Sequence, residues 1–146
     1  MQPDDPRGYN KVGAALAIKG DIGGARQNFE HALTLDRKFA PALTNLANIA
    51  LHDNKVNEAL SLYREAIQAD PNYAPAHHNF SVALKRSGDV TGMVRSLKQA
   101  QRLQRDAMRE EARQAMRRGP GGCLRGSAAV VVLATGAALA LTHLVH

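Results

Sequence analysis

Tyr9-Asn10-Lys11-Val12-Gly13-Ala14-Ala15-Leu16, followed by Ala25-x-x-x-Phe29-x-x-Ala32, decides the fold, because its pattern returns twice at a shift of 34 residues. The second copy contains Leu43, Leu46, Ala47, Ala50, Ala59, Tyr63 and Ala66, and Pro71 closes it. The third contains His77, Phe80, Ser81, Leu84, Met93, Leu97 and Ala100. Small residues alternate with large apolar ones at each copy. A unit of this length is a helix-turn-helix pair that buries its apolar face against its neighbours, so the chain reads as an all-α solenoid.

The repeats cover about 6–39, 40–73 and 74–107. Each first helix is expected to end at a turn: Lys19-Gly20-Asp21, Asp53-Asn54-Lys55 and Ser87-Gly88-Asp89. Gly or Asn at such a place supplies the left-handed backbone that closes a helix. Pro41 and Pro75 stand one repeat apart, just inside the next first helices, where a missing N–H costs little. Gly13, Ala47 and Ser81 let helices approach closely, as do Ala25, Ala59, Ala32, Ala66 and Ala100 on the second helices. Phe29 and Tyr63 are expected to fill the space between. The last repeat departs from the pattern, with Met93 and Leu97 in place of a small and aromatic pair. No Gly or Pro interrupts Met93 to Arg118, so the last helix is expected to run on to Arg118, about 40 Å at 1.5 Å per residue.

With these residues the chain resembles the tetratricopeptide-repeat (TPR) family, whose solenoids hold partners in a groove. By that resemblance the groove wall comes from the first helices. The resemblance implies a peptide-binding groove of Asn10, Lys11, Thr44, Asn45, Asn48, His78, Asn79, Lys85 and Arg86, with Ala14, His52 and Val82 beside them. Asn45 and Asn79, one repeat apart, look like the asparagine ladder in the repeats of O-linked N-acetylglucosamine transferase, although Lys11 breaks the ladder in repeat 1 and no catalytic domain is present. Asn is a poor helix former whose amide both donates and accepts, so a peptide backbone is a fitting ligand for it. The family's carboxylate clamp for chaperone tails is absent: the matching positions read Asn10, Ala14, Asn45, Pro75 and Asn79, and only Asn45 agrees.

Composition bounds the chemistry. One cysteine, Cys123, in 146 residues allows no intrachain disulfide. There is no phosphate-binding Gly loop, no Cys pair and no HExxH, and the adjacent His77 and His78 point about 100° apart on a helix. An enzyme, a catalytic residue, a metal or a cofactor is therefore not expected. The formal net charge is +6. It is concentrated in 98–125, where 8 Lys/Arg meet 3 Asp/Glu.

Arg102, Arg105, Arg109, Arg113 and Arg117 recur at helical spacing on one face. Nucleic acid is not the expected partner, since no aromatic interleaves with them. The segment 108–118 reads as a basic helical stalk and 119–125, with Gly119-Pro120-Gly121-Gly122, as a hinge. Residues 126–145 carry no formal charge, and as a helix they would span about 30 Å, the thickness of a bilayer core. They are read as a C-terminal transmembrane helix, with Arg109, Arg113, Arg117, Arg118 and Arg125 contacting anionic lipid headgroups. Basic residues precede the span, which places the N-terminal domain of a single-pass, tail-anchored membrane protein on the cytoplasmic side. Gly136 and Ala140 form a small-x-x-x-small pair that permits a homo-oligomer through that helix. The function expected is a membrane-anchored protein–protein interaction module whose TPR groove takes an unidentified protein or peptide. The alternative is a soluble structural or assembly subunit whose apolar C-terminal tail packs against a partner or itself.

Overall fold

The computed structural model of the chain describes residues 5–118, and every regular element in that range is helical: α1 (Pro6–Ile18), α2 (Ile22–Leu35), α3 (Ala40–His52), α4 (Val56–Ala69), α5 (Ala74–Ser87) and α6 (Val90–Arg118). The chain divides into two compact units, Met1–Met108 and Arg109–His146, and the three helical hairpins lie in the first.

Local chemistry repeats with the sequence period. The three turns that close α1, α3 and α5 place Gly20 at φ 88°, Asn54 at φ 61° and Gly88 at φ 88°. Asn tolerates this left-handed region better than other side chains do, which is why it substitutes for Gly in the second repeat. Asp5 caps α1 by accepting from the Arg7 backbone N–H at 2.9 Å. Asp21 and Asp89 cap α2 and α6 in the same way, accepting from the backbone N–H groups of Gly24 (2.9 Å) and Gly92 (2.8 Å). Asp36 and Asp70 close α2 and α4, and each carboxylate takes a backbone N–H two residues on, from Lys38 and Asn72.

The second repeat lacks one of these devices. Lys55 precedes α4 and makes no side-chain cap bond. Glu58 stands three residues later, so Lys55→Ser would complete a reciprocal capping box. It is expected to add about 1 kcal/mol of stability, read as a higher Tm in a calorimetric or circular dichroism melt.

The core of the repeats is thin and rich in alanine. Ala25, Ala32, Ala47, Ala50, Ala59, Ala66, Ala76 and Ala83 are fully buried, and Phe29 and Tyr63 are the two largest fully buried side chains. Small residues bring the helix axes together, and the two rings fill what remains between them. Gly13 belongs to the same packing. A Cβ built on it would lie 2.6 Å and 2.8 Å from Phe29 ring atoms and 3.0 Å from the Ala25 carbonyl oxygen.

The contacts between repeats distinguish two sets of helices. α1 packs against α3 and α3 against α5, whereas α2 and α4, both fully described, make no such contact. The first helices of the repeats therefore form the inner wall.

Two expectations are corrected here. The fold class is an all-α solenoid of six helices, without the transmembrane helix added to it above. Among the described residues no helix is long and apolar enough to cross a membrane. The longest, α6, carries charges along its length, including Arg95, Arg102, Arg105, Arg109 and Arg113, and each would lose its hydration in a bilayer core. The segment named for the span, 126–145, lies outside the described residues. Its hydropathy is carried by eight Leu and Val, while Ala and Gly add little. The single-pass membrane localisation, with a cytoplasmic N-terminal domain, loses its support together with the helix. So does pairing through that helix.

Candidate functional site

The inner wall of the repeats is built from side chains one turn apart on α1, α3 and α5. Its amides are neither idle nor bonded within their own helices. Asn45 Nδ2 donates to Asn10 Oδ1 at 2.9 Å, joining α3 to α1. Asn79 Nδ2 donates to Asn48 Oδ1 at 3.0 Å, joining α5 to α3. The same Asn48 oxygen accepts from the Tyr63 hydroxyl at 2.6 Å. Arg86 reaches back across the wall and donates to the Leu51 carbonyl at 2.8 Å. Successive first helices are thus laced together by polar bonds on their inner face.

These bonds leave capacity unused. Each amide offers donors and an acceptor, and only one polar atom of each is engaged. Among the described residues no hydrogen bond takes up Asn10 Nδ2, Asn45 Oδ1, Asn48 Nδ2 or Asn79 Oδ1.

Two cavities open along the wall. The first, of about 350 Å³, lies where α1, α2 and α3 meet and is lined by Ala14, Ala17, Ile18, Ile22, Phe29 and Ile49, with Asn45, Asn48 and His52 at its polar edge. Ile18 is 88% exposed, an unusual state for so large an apolar side chain. The second, of about 200 Å³, lies towards α5 and is lined by Leu51, Tyr63, Asn79, Val82 and Arg86. Asn48 and His52 line both, so the two cavities form one groove.

The groove residues expected from sequence divide accordingly. Asn10, Asn45, Asn48, Asn79 and Arg86 come together through the bonds above. Lys11, His78 and Lys85 are exposed. Thr44 is not on the wall: it is buried, with its hydroxyl donating to the Ala40 carbonyl one turn back. Ile18, Ile22 and Phe29 were missed, because a cavity shared by two helices is invisible to a reading of one helix face. An isoleucine at the last position of α1, two residues before Gly20, was the available signal.

Burial pushes the Tyr63 phenol up to about 12, against the opposing pull of the nearby Arg86 guanidinium. The phenol is thus a neutral hydrogen-bond donor throughout the physiological range.

The arginines named for lipid contact sit on α6 in the second unit, except Arg125, which lies outside the described residues. Arg113 lies 3.8 Å from Glu110, an exposed pair. In the first unit Arg102 pairs with Asp106 at 3.8 Å. Such pairs describe a solvated charged helix and contribute little stability each.

Comparison with known proteins agrees with the fold. Residues 16–80 match the family model described as tetratricopeptide repeat. A photosystem I assembly protein, Ycf3 of Synechococcus sp. (strain CC9605), is 27% identical over 119 residues, which are 80% of this chain and 68% of that protein. The crystal structure of MamA superposes with a TM-score of 0.62 at 18% identity, covering 72% of this chain and 61% of MamA. The second TPR of Spaghetti (RPAP3), solved bound to the HSP90 peptide SRMEEVD, superposes with a TM-score of 0.62 at 19% identity, covering 68% of this chain and 92% of that one. At these identities the two solved structures speak to fold alone. The 34-residue period, the inner wall of first helices and the match over residues 16–80 agree: the helical hairpins of this chain are similar to tetratricopeptide repeats.

Proposed function

We propose that this chain is an assembly-type interaction module that holds an extended segment of a partner protein along the wall of α1, α3 and α5. The observation that carries the reading is the continuous groove: two cavities joined at Asn48 and His52, bordered by amides with unused donors and acceptors. An amide can bond a peptide backbone whatever side chain stands beside it, so such a wall recognises extended chain while the cavities select side chains. The similarity to a photosystem I assembly protein supports assembly as the setting, and a neighbour of the same fold was solved bound to a peptide.

The test is site-specific photo-crosslinking in the full chain. A photoreactive residue at Val82, in the groove, is expected to capture partner peptide. One at Gln68, which lines a separate hollow with Arg37 and Glu65, is expected to capture none. Crosslinks from Gln68 alone would place recognition on the outer surface and sink the reading.

A further inference from the structure

The inner helices share a property that the rest of the repeats do not. α1, α3 and α5 contain no Asp or Glu at all. Within the helical hairpins, acids fall on α2 (Glu30), α4 (Glu58 and Glu65), α6 (Asp106, Glu110 and Glu111) and the turns. The cations on the inner helices include Lys11, Lys85 and Arg86. Asp53 follows the groove residue His52, and its carboxylate is paired with Arg26 at 3.4 Å. Lys85 and Arg86 have no carboxylate partner among the described residues, and the one bond Arg86 makes is to a neutral carbonyl.

The groove is also divided along its length. Its apolar cavity lies at the α1–α3 end and its basic cavity at the α3–α5 end. Neighbouring helix axes stand about 10 Å apart, which is about three residues of extended chain.

Resting on the groove reading above, we propose that the occupant is an extended acidic segment of a partner protein bearing one apolar anchor. The anchor side chain enters the 350 Å³ cavity and covers the exposed Ile18, while carboxylates about three residues further along meet Lys85 and Arg86. Charge complementarity selects the segment and sets its direction, and the apolar cavity supplies the desolvation that holds it.

The experiment is fluorescence anisotropy of the full chain with end-capped peptides. Each carries one leucine and, after a spacer of varied length, a Glu pair, a Lys pair or a Ser pair. The Glu-pair peptide with a spacer near three residues is expected to bind tightest and to weaken as salt rises. Lys85→Glu combined with Arg86→Gln should weaken it about tenfold and narrow or reverse the preference over the Lys pair. Gln is two bonds shorter than Arg, so Arg86→Gln removes the Leu51 wall bond together with the charge, and Lys85→Glu alone reads the charge. Ile18→Asp, at an exposed position, should weaken every leucine peptide about tenfold.

If Lys-pair or Ser-pair peptides bind as tightly as Glu-pair ones, and Ile18→Asp still weakens them, the acidic segment is wrong and the groove reading stands. If Ile18→Asp changes nothing and Val82 captures nothing, both fall. Probe affinity that rises as the chain is diluted would mean that a second copy fills the groove, and would overturn the proposal. Failure of every peptide to bind overturns it as well.

Discussion

Tyr63→Ala should unfold the repeats under conditions where the wild-type chain is fully helical. The side chain has no exposed surface and packs among Ala47, Ala59, Leu60 and Leu84, with Phe80 and Met93 beside it. Its removal leaves a cavity in a core made mostly of alanine, which cannot collapse to fill it. Large-to-small changes of this kind cost about 3–5 kcal/mol, a large part of the stability of a domain this size. Tyr63→Phe separates packing from polarity. It keeps the ring and deletes the hydroxyl that donates to Asn48, and the Asn48 oxygen still accepts from Asn79. Its cost should stay near 1 kcal/mol. Alkaline melts provide a second readout. The folded phenol titrates at about 12, above its ordinary value, so its contribution is fully present below pH 10 and is lost as pH rises from about 10 to 12. The wild-type Tm should fall through that window more steeply than the Tm of Tyr63→Phe. Parallel curves would show that burial does not hold the proton on Tyr63.

Gly13→Ala should be nearly as damaging in the first repeat, for the opposite reason. The added methyl would stand 2.6 Å from the Phe29 ring and 3.0 Å from a backbone oxygen, so the ring or α2 must shift. Overpacking a site of this kind costs about 1–3 kcal/mol, although alanine is by itself the better helix former. The decisive comparison is a double-mutant cycle. Phe29→Leu alone should destabilise by opening space, and in the Gly13→Ala background it should destabilise less, because it relieves the clash. Additive losses in denaturant unfolding would mean that the ring is not what excludes a side chain at Gly13.

The repeat architecture was legible because its punctuation is chemical. Gly20, Asn54 and Gly88 were expected to turn left-handed on their residue types and their 34-residue spacing alone, and all three do. The groove was less legible. Asn45 pairs with a residue 35 positions away and Asn79 with one 31 positions away, so neither bond follows the repeat period. Which amides meet depends on how one helix is rotated against the next, and that rotation is set by buried alanines rather than by the amides. Thr44 illustrates the same point. It aligns with Asn10 and His78 by period, yet it is turned inward and bonds its own helix. Tyr63 was read as filler because its hydroxyl has meaning only once Asn48 lies beside it. The transmembrane expectation failed for a different reason: length and lack of charge were weighed without a helix to carry them, and among the described residues no helix supplies one.

The polar lacing of the inner wall has a mechanical consequence. A solenoid flexes like a spring, opening and closing as the gaps between successive first helices widen and narrow. The Asn10–Asn45, Asn48–Asn79 and Arg86–Leu51 bonds, at 2.9, 3.0 and 2.8 Å, cross those gaps directly. Hydrogen bonds tolerate only a few tenths of an ångström of stretch before they weaken. Together they act as stops that limit how far successive first helices can part. A guest that offers its own donors and acceptors at these positions can release the stops one by one. Under the groove reading proposed above, the wall would then relax around what it holds, and its stiffness would be a property of the pair rather than of the chain alone.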